Sequence, residues 1–545
     1  MLNQEKTPRQ GHIFAALALL IILGMALFTA IRGVNYGDHV DEPRLINSVA
    51  DSAKTGLLLP TWYNYPSMSY NLEMIGFAPY AANYILHHLD KYRGLSTNDL
   101  VTIAGKDLSG VALSLDFKLY TRTIFIAVSF LSILWVYILV YRWRRSYLEA
   151  LLAAALLSGS WELNYHTRYI APDAVMMAFG ILAVMLVIFA QTSHDASWAQ
   201  RYTRLAAIVA GLTCGTKYQG GLFLIPIFLS LIVSIKPFSI RKLPLREFFI
   251  SVVLFTATFL FTTPGALLQP VEFFRDVLFE MGHYASGHGV QSVTPGVTHL
   301  HLILGYLGLV ALSKYTAIAI LCTVFVAIGA IAIMRDDWRI GIVFVAFPVL
   351  YILYMSRQSV MFVRNYLVVF PFLAILAARG VFFLTAAVQA RVKMLNRPTF
   401  RYALPVLFAV LWIINTLWLV KAADNIVNPV QVNQIEQAAL YIDQRPSTQF
   451  FITARVAADL TAFDGKTRPN VSRTFQDGQQ VMFYAGELAA VFAKTDQFLP
   501  INRFSFYTYL PPDVDRVNPN YFDLDSNRIV LLDYSKFKDL NVTLP

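Results

Sequence analysis

Carboxylates gather directly after the first apolar segment of the chain. Residues 13–31 carry no charge and are long enough to cross a bilayer as a helix. Three acids, Asp38, Asp41 and Glu42, follow at once. A carboxylate at the mouth of a membrane helix is costly unless it faces water, a cation or a reacting group. The run is therefore either a solvated loop or a base beside the membrane, and the other charged residues must distinguish the two.

Further charged residues recur at the ends of later apolar segments, on the same predicted face of the membrane. Taken singly, a basic residue at a helix end often reaches toward head groups, and an acid at a helix start stabilises the helix dipole. Taken together with nearby tyrosines and tryptophans, the charges suit a lipid-linked anionic substrate that carries a polar head. The charged members are Asp38, Asp41, Glu42, Glu162, Asp173, Arg44, Arg168, Lys217, Arg357 and Arg364.

Four histidines lie close together in the third predicted outer segment, namely His283, His288, His299 and His301. Their spacing fits no compact ligand motif, so the sequence does not predict a metal site. Glycines recur in the same segment, which favours a flexible loop that closes over a substrate.

Composition identifies a multi-spanning membrane protein. Of 545 residues, 56% are hydrophobic and 14% are charged, against about 25% charged residues in an average soluble protein. The net charge of +10 would suggest nucleic acid, but most basic residues lie in short loops between apolar runs, where they set membrane topology. The two cysteines, Cys214 and Cys322, lie inside apolar runs, so neither a disulfide framework nor a metal–thiolate site is predicted.

Eleven apolar runs predict eleven spans, with the N-terminus inside and the C-terminal segment outside. Arginine and lysine clusters then fall on the inner connections, as the positive-inside rule requires. Residues 71–89 are apolar but contain Glu73 and Pro79; they predict a surface helix or one of an extra pair, so the count is about 11–13. The runs are 13–32, 119–140, 148–160, 173–191, 204–216, 219–235, 248–264, 302–333, 340–355, 366–387 and 403–420.

Two domains follow from the change of composition near residue 420. Residues 1–420 form the predicted transmembrane domain, with a long first outer loop at 33–118. Residues 421–545 are more polar and contain short strand-like runs beside a helical stretch at 431–443. They are long enough to build their own core, which predicts a soluble outer domain of mixed α/β structure.

The order of several short motifs resembles a known family. The pair Asp41-Glu42 with Arg44 and a Gly-Leu-Leu-Leu-Pro run at 56–60 is similar to the first outer loop of family 39-type glycosyltransferases, which include the protein O-mannosyltransferases and the lipid A aminoarabinose transferases. Many relatives carry His-Pro-Pro or Lys-Pro-Pro where this chain has Tyr65-Pro66-Ser67. Other motifs that match in order and sidedness are Arg122, Arg168-Tyr169-Ile170-Ala171-Pro172-Asp173, Thr216-Lys217 and Arg364-Asn365-Tyr366.

The resemblance implies the membrane glycosyltransferase fold known as GT-C, a polyprenyl-phosphate sugar donor and inversion at the anomeric carbon. In that mechanism Asp41 is the general base and Glu42 orients Asp41 or the acceptor. Arg364 and Lys217 stabilise the departing phosphate, while Arg168 binds the donor phosphate or fixes Asp173. Because cations surround the leaving phosphate, no metal or other cofactor is required. Expected supporting residues are Asp173, Arg44, Tyr65 and Tyr366.

Other functions remain open at this stage. A glycan-chain ligase or polymerase would share the lipid-linked donor but move a whole chain. A secondary transporter is disfavoured because the span centres carry almost no charge and no internal repeat is evident, and a sensor or scaffold would not need Asp41 or Arg364. The sequence names neither the sugar nor the acceptor, which is a lipid, glycan or protein. The closest resemblance favours a bacterial inner membrane, with the C-terminal domain in the periplasm.

Overall fold

The chain is described by a computed structural model that covers residues 9–34, 39, 41–235, 243–287, 292–391, 403–427, 434–474, 476, 478–484, 502–503 and 529–533. Asp38 and His288 lie outside these residues. Most described residues are helical. The helices at the predicted spans are α1 (Arg9–Arg32), α6 (Leu115–Arg144), α7 (Tyr147–Ser158), α9 (Pro172–Thr192), α10 (Ala196–Thr216), α11 (Leu224–Val233), α12 (Leu245–Thr262), α16 (Thr316–Asp336), α17 (Trp338–Met355), α18 (Phe370–Arg391) and α19 (Ala403–Val427).

Among the described helices, eight are long and apolar enough to cross a membrane. Three further predicted spans correspond to α7, which has only 12 residues, to α10, which contains Arg201 and Arg204, and to α11 with the 3₁₀ helix Tyr218–Phe223 before it. The multi-pass architecture is confirmed, while the count of eleven stays a prediction.

One predicted span is divided. The run 302–333 contains the C-terminal part of a short helix, α15 (Val297–Leu309), and most of α16. Polar contacts mark the break between them: Ser313 donates to the Asn415 side chain, and the Lys314 ammonium lies over the rings of Tyr315 and Trp418. Because Ser313 and Lys314, which lie between the two helices, have partners on α19, an apolar run of this length need not be a single helix.

The first outer loop is helical too. It contains α2 (Glu42–Thr55), α3 (Met68–His87), α4 (Leu89–Tyr92) and α5 (Thr97–Ala112). Helix α2 ends at Gly56, whose φ of +73° is the left-handed conformation that glycine adopts at helix ends. Helix α3, which covers most of 71–89, packs on α6 through Phe77 and Phe117 and is not among the eight candidate spans.

The other connections between spans contain short helices α8 (Trp161–His166), α13 (Gly265–Leu268) and α14 (Pro270–Ser286). Deeper in the bundle, α16 and α18 approach closely where Gly329 faces the backbone oxygen of Leu376 and Gly380 faces that of Phe325. A side chain at either glycine would collide with backbone, so these small residues permit the contact.

At the far end of the bundle, opposite Asp41, ion pairs join several helices. Asp336 on α16 accepts from Arg144 on α6 at 3.0 Å and from Arg379 on α18 at 2.7 Å. Glu149 on α7 lies 3.7 Å and 3.8 Å from the same two arginines. This network fixes the spacing of four helices.

The C-terminal region forms a small α/β unit, which confirms the predicted mixed structure. Its elements are α20 (Gln434–Asp443), β1 (Phe450–Ile452), α21 (Ala454–Asp464), β2 (Val471–Ser472), β3 (Gln480–Tyr484), β4 (Asn502–Arg503) and β5 (Ile529–Asp533). The strand order is β2-β1-β3-β5-β4, with β1 parallel to β2 and β3, and β5 antiparallel to β3 and β4. Ile442, Phe450, Leu460 and Leu531 lie in its core. The boundary at 420 stays a prediction, since α19 continues to Val427.

Candidate functional site

Four charged side chains meet at one end of the bundle because each lies at or beside the end of a helix there. Asp41 precedes α2, Asp173 lies in the first turn of α9, Lys217 follows α10, and Arg364 belongs to the 3₁₀ helix Val363–Val369 that opens α18. All four are buried, with exposures of 8%, 2%, 2% and 7% in that order. The structure therefore brings together residues that lie up to 323 positions apart in the sequence.

Few contacts hold the Asp41 side chain, and they use only one of its two carboxylate oxygens. It occupies the N-cap position of α2, but its side chain does not cap the helix, although Asp usually does so there. Instead Oδ2 accepts from the Tyr65 hydroxyl at 3.1 Å and lies 3.5 Å from Arg364 Nη2. Among the described residues, no hydrogen bond reaches Oδ1. One carboxylate oxygen is thus oriented while the other is available to a substrate.

Tyr65 is positioned to donate rather than to ionise. Burial, together with the charge of Asp41, holds the pKa of Tyr65 well above its ordinary value of 10. The phenol therefore keeps its proton and donates a hydrogen bond to the Asp41 carboxylate.

Arg44 lies at the rim of the site. Tyr65 meets Trp62 edge to face, with 5.2 Å between ring centroids, and the exposed Arg44 guanidinium lies over the Trp62 ring at 5.1 Å.

Asp173 joins the two predicted phosphate-binding cations. Its Oδ1 accepts from Lys217 Nζ at 2.6 Å, and its Oδ2 lies 3.6 Å from Arg364 Nε. Lys217 Nζ also donates to Asn365 Oδ1 at 2.5 Å, and the Arg364 guanidinium lies over the Phe362 ring at 4.4 Å. Two carboxylates and two cations form one cluster, in which the Arg364 contacts are long and therefore weak.

Glu42 follows Asp41 in the chain, and both of its carboxylate oxygens accept hydrogen bonds from other residues. Arg122 on α6 grips it at both oxygens, with Nε to Oε1 at 2.7 Å and Nη2 to Oε2 at 2.5 Å. The backbone N–H of Ile170 donates to Oε1 at 3.0 Å and that of His39 to Oε2 at 3.2 Å. Burial alone would raise the pKa of Glu42, but its hydrogen bonds from Arg122 and Ile170 and the nearby charges lower it. Glu42 therefore anchors the loop that carries Asp41, and its predicted role of orienting Asp41 or the acceptor stays a prediction.

Arg168 lies away from the charged cluster. It is completely buried, donating to the Gly33 backbone oxygen at 3.2 Å and to Asn164 Oδ1 at 2.9 Å. A side chain at position 33 would collide with the guanidinium, so glycine permits this approach. Arg168 ties the end of α1 to α8, and neither described hydrogen bond connects it to Asp173. Its predicted contact with donor phosphate stays a prediction.

Tyr366 follows Asn365 in the 3₁₀ helix and contacts His299. Its hydroxyl is 2.9 Å from His299 Nε2, and His299 Nδ1 is 2.9 Å from the Gln358 backbone oxygen. Tyr366 is completely buried, so it supports the 3₁₀ helix rather than lining an open surface.

His39 is a neutral neighbour of the cluster. Its ring lies against Tyr169 at 5.4 Å between centroids, and Nδ1 accepts the Asp41 backbone N–H at 3.2 Å. Burial and the positive charge of Arg364 lower the pKa of His39 below its ordinary value of 6.5. The imidazole is therefore uncharged at neutral pH and helps to orient Asp41.

Sequence analysis missed two residues beside the cluster, Glu280 and Tyr284. Glu280 on α14 accepts from Asn64 Nδ2 at 3.1 Å; burial raises its pKa, while the Asn64 hydrogen bond and then the charge of Lys217 oppose that rise. Tyr284, one turn further along α14, accepts from Asn365 Nδ2 at 3.1 Å. The missed signal is helical spacing within residues 270–286, which were predicted to belong to a flexible loop.

The third outer segment is mostly helical, unlike the predicted loop. After α14, Val293 N–H donates to the Ser359 oxygen at 2.9 Å and Gly296 N–H to that of Ser356 at 2.7 Å. These bonds attach the segment to the chain that follows α17. Closure over a substrate stays a prediction. Within the part of the chain that the structure describes, no group of three or more His, Cys, Asp or Glu could hold a metal ion.

One protein family matches part of the chain. The family described as dolichyl-phosphate-mannose-protein mannosyltransferase matches residues 117–274, a stretch that holds Arg122, Arg168, Asp173 and Lys217. None of the curated protein sequences compared with the chain matches it.

Solved structures are similar along almost the whole chain. ArnT from Cupriavidus metallidurans bound to undecaprenyl phosphate has 11% identity and a TM-score of 0.50, over 96% of this chain and 98% of that one. The same protein without ligand has 12% identity and a TM-score of 0.50, over 95% and 98%. The archaeal oligosaccharyltransferase AglB from Archaeoglobus fulgidus, in complex with an inhibitory peptide and a dolichol-phosphate, has 12% identity and a TM-score of 0.46, over 87% and 70%.

At such identities the likeness to ArnT shows the fold, and it confirms the predicted GT-C architecture. The family match confirms the resemblance to family 39-type glycosyltransferases over its matched residues. Together they support a membrane glycosyltransferase that uses a lipid-linked donor.

Proposed function

We propose that this membrane protein of the GT-C fold moves a single sugar from a polyprenyl-phosphate donor to an acceptor hydroxyl at the outer face of the membrane. The reaction inverts the anomeric carbon. One observation carries the proposal: the Asp41 carboxylate lies beside Arg364, and a second carboxylate, Asp173, links Arg364 to another cation, Lys217.

The geometry suits a direct displacement. The acceptor oxygen attacks the anomeric carbon and forms the new glycosidic bond while its proton passes to Asp41 Oδ1. The bond from that carbon to the donor phosphate oxygen breaks, and polyprenyl phosphate leaves with the electron pair. General-base help of this kind contributes about 10²–10⁴-fold to a rate.

The two cations act where charge grows. Negative charge develops on the leaving phosphate in the transition state, and fixed donors aimed at it stabilise that state more than the ground state. Lys217 is the better fixed of the two, because Asp173 and Asn365 both hold its ammonium at short distance. Arg364 makes long contacts with Asp41 and Asp173, so an arriving phosphate can draw it away from Asp41 and leave the base exposed.

The neighbours have supporting roles in this proposal. Glu42 and His39 position Asp41, while Tyr65 holds one oxygen of Asp41. Arg44 lies at the rim near Trp62, where it can contact the donor or the acceptor. Arg168 holds the end of α1 in position beside the site. Tyr366 supports Asn365. No step requires a metal, because Lys217 and Arg364 supply the positive charge that the leaving phosphate needs.

The cellular setting is part of the proposal. The resemblance to bacterial family members favours a bacterial inner membrane, and the basic inner connections favour a periplasmic side for the site and for residues 421–545. We infer that the C-terminal domain recognises the acceptor. An acceptor of lipid, glycan or protein class is compatible with the mechanism, since each offers a hydroxyl.

A transfer assay tests the proposal. The purified protein in lipid is given a panel of radiolabelled polyprenyl-phosphate sugars, with an envelope extract as acceptor. Consumption of one donor that stops in Asp41→Asn, but not in the matched control Asp51→Asn on the exposed face of α2, supports the assignment and names the sugar. Consumption only of a donor that carries a long glycan indicates a glycan-chain ligase, and consumption of none overturns the proposal.

A further inference from the structure

Helix α14 has two faces of opposite character. Phe273, Asp276, Glu280 and Tyr284 recur at helical spacing and face the protein. The other face carries Val271, Phe274, Leu278 and Met281, again at steps of three and four residues, with exposures of 75%, 58%, 65% and 64%. We call these last four residues the α14 stripe. Such a pattern is typical of a helix that lies at a boundary between protein and a second apolar medium.

The orientation of the stripe is fixed by bonds on the inward face. Asp276 Oδ2 accepts the backbone N–H of Tyr63 at 2.9 Å, and Glu280 accepts from Asn64 at 3.1 Å. Tyr284 accepts from Asn365 at the cluster. Because the bonds lie at three successive turns of the helix, α14 cannot roll the stripe inward without breaking them.

The stripe continues the exposed apolar surface of a candidate membrane span. Helix α12 is a candidate membrane span, and its Phe249, Val253 and Phe261 are exposed. Helix α13 follows at once with Leu267 and Leu268, which are also exposed. Apolar surface therefore runs from the span through α13 to the α14 stripe along one continuous stretch of chain.

Polar residues flank the stripe, as expected for a helix in the plane of the membrane surface. The Arg275 side chain is 66% exposed and pairs with Asp276 at 2.9 Å, and Glu272 lies in the first turn. A helix with one apolar face and charged flanks lies in the interface between head groups and acyl chains. An apolar face of this size in contact with water would be an aggregation site in a soluble protein.

We propose that α14 lies in the membrane leaflet on the side of the Asp41 cluster, with its stripe packed against lipid acyl chains. The partner is the bilayer itself. This inference does not depend on glycosyl transfer, since it rests on the two faces of α14 and on its continuity with α12. Its consequence is that lipid on one face of α14 holds Glu280 and Tyr284 toward the cluster on the other.

Spin labels test the proposal by their exposure to two relaxing reagents. Single cysteines are introduced at Phe274, Leu278 and Met281, and at the polar flank positions Glu272 and Arg275 as matched controls, in protein reconstituted in liposomes. The two native cysteines are buried, so the native protein measures the background labelling. Labels on the stripe should relax mainly with oxygen, which concentrates in the acyl region, and the controls mainly with a water-soluble nickel chelate.

Two results would overturn the proposal. Stripe labels that respond to the nickel chelate as strongly as the controls would place the stripe in water. Stripe labels shielded from both reagents would show that protein covers it, either a second copy or another part of this chain. The substituted side chains lie on the outward surface of α14 rather than in the protein core, so the folded state should survive, and the thermal unfolding of each labelled protein checks this. Neither result bears on whether the protein transfers a sugar.

Discussion

Asp41 and Glu42 are adjacent acids that the structure treats in opposite ways. Glu42 has no exposed surface and receives five polar contacts, including a two-point grip from Arg122. Asp41 keeps Oδ1 open and meets Arg364 only at 3.5 Å. A carboxylate saturated by short bonds is a structural anchor, whereas one with an open oxygen and a long contact to Arg364 can exchange partners with a substrate. In the proposed function, these neighbouring acids therefore divide support and chemistry between them.

Removal of the anchor should have the largest effect in this comparison. Glu42→Ala leaves the Arg122 charge buried and unpaired, and breaking a buried pair in this way costs about 3–5 kcal/mol of stability. Thermal unfolding in detergent should therefore show a large loss. The double variant Glu42→Leu with Arg122→Met removes both charges and should recover much of it. Equal losses in the single and double variants would mean that the unpaired charge is not the cause.

Lys217→Met should have the second-largest effect, and it should lower the rate of transfer more than the stability of the fold. Loss of one preorganised donor to developing negative charge lowers kcat by about 10²–10³-fold, and the exposed Arg357→Met provides a matched loss of positive charge near the site. Steady-state transfer with the donor identified in the panel measures both. If kcat is unchanged while only acceptor affinity falls, Lys217 does not face the leaving phosphate.

Arg364→Lys should have a smaller effect on transfer, and it tests whether the long contact of Arg364 with Asp41 matters. Lysine keeps the charge but lacks the planar fork that spans Asp41 and Asp173. We expect about a tenfold loss of kcat/KM, equivalent to about 1.4 kcal/mol. Transfer kinetics across donor concentrations measure it. A variant as active as the native protein would show that charge alone matters at this position.

Part of this site was predictable from sequence and part was not. Asp41 is conspicuous because it follows an uncharged membrane segment, and the helix-end positions of Asp173, Lys217 and Arg364 mark one membrane face. The partner of Glu42 is not predictable, since Arg122 lies 80 residues away and nothing local distinguishes an anchored acid from an open one.

The fold shows a similar division. Apolar periodicity and charge bias predict the multi-pass bundle, but they merge α15 with α16 because hydropathy does not register that Ser313 and Lys314 contact α19. The two-faced spacing of α14 was present in the sequence, yet histidines and glycines in the same segment favoured a loop. Tertiary partners decide these cases, and a single sequence does not reveal them.

The smallest predicted effect concerns pH. Burial and Arg364 lower the pKa of His39 below 6.5, while Asp41, Glu42 and Asp173 oppose this. Below pH 6.5 the unfolded chain takes up a proton that the folded one resists, so stability falls as pH is lowered through that range. His39→Gln should reduce this pH dependence of the unfolding temperature between pH 7 and pH 5. An unchanged slope would show that His39 does not contribute.

The central claim is that Asp41 performs chemistry while its neighbours bind and position. Its most direct test measures donor affinity and single-turnover transfer on the same preparation of Asp41→Asn. The account predicts nearly native donor affinity and unfolding temperature, with transfer slowed by about 10²–10⁴-fold. Native transfer rates in this variant, or a loss of rate explained entirely by lost donor binding, would contradict it.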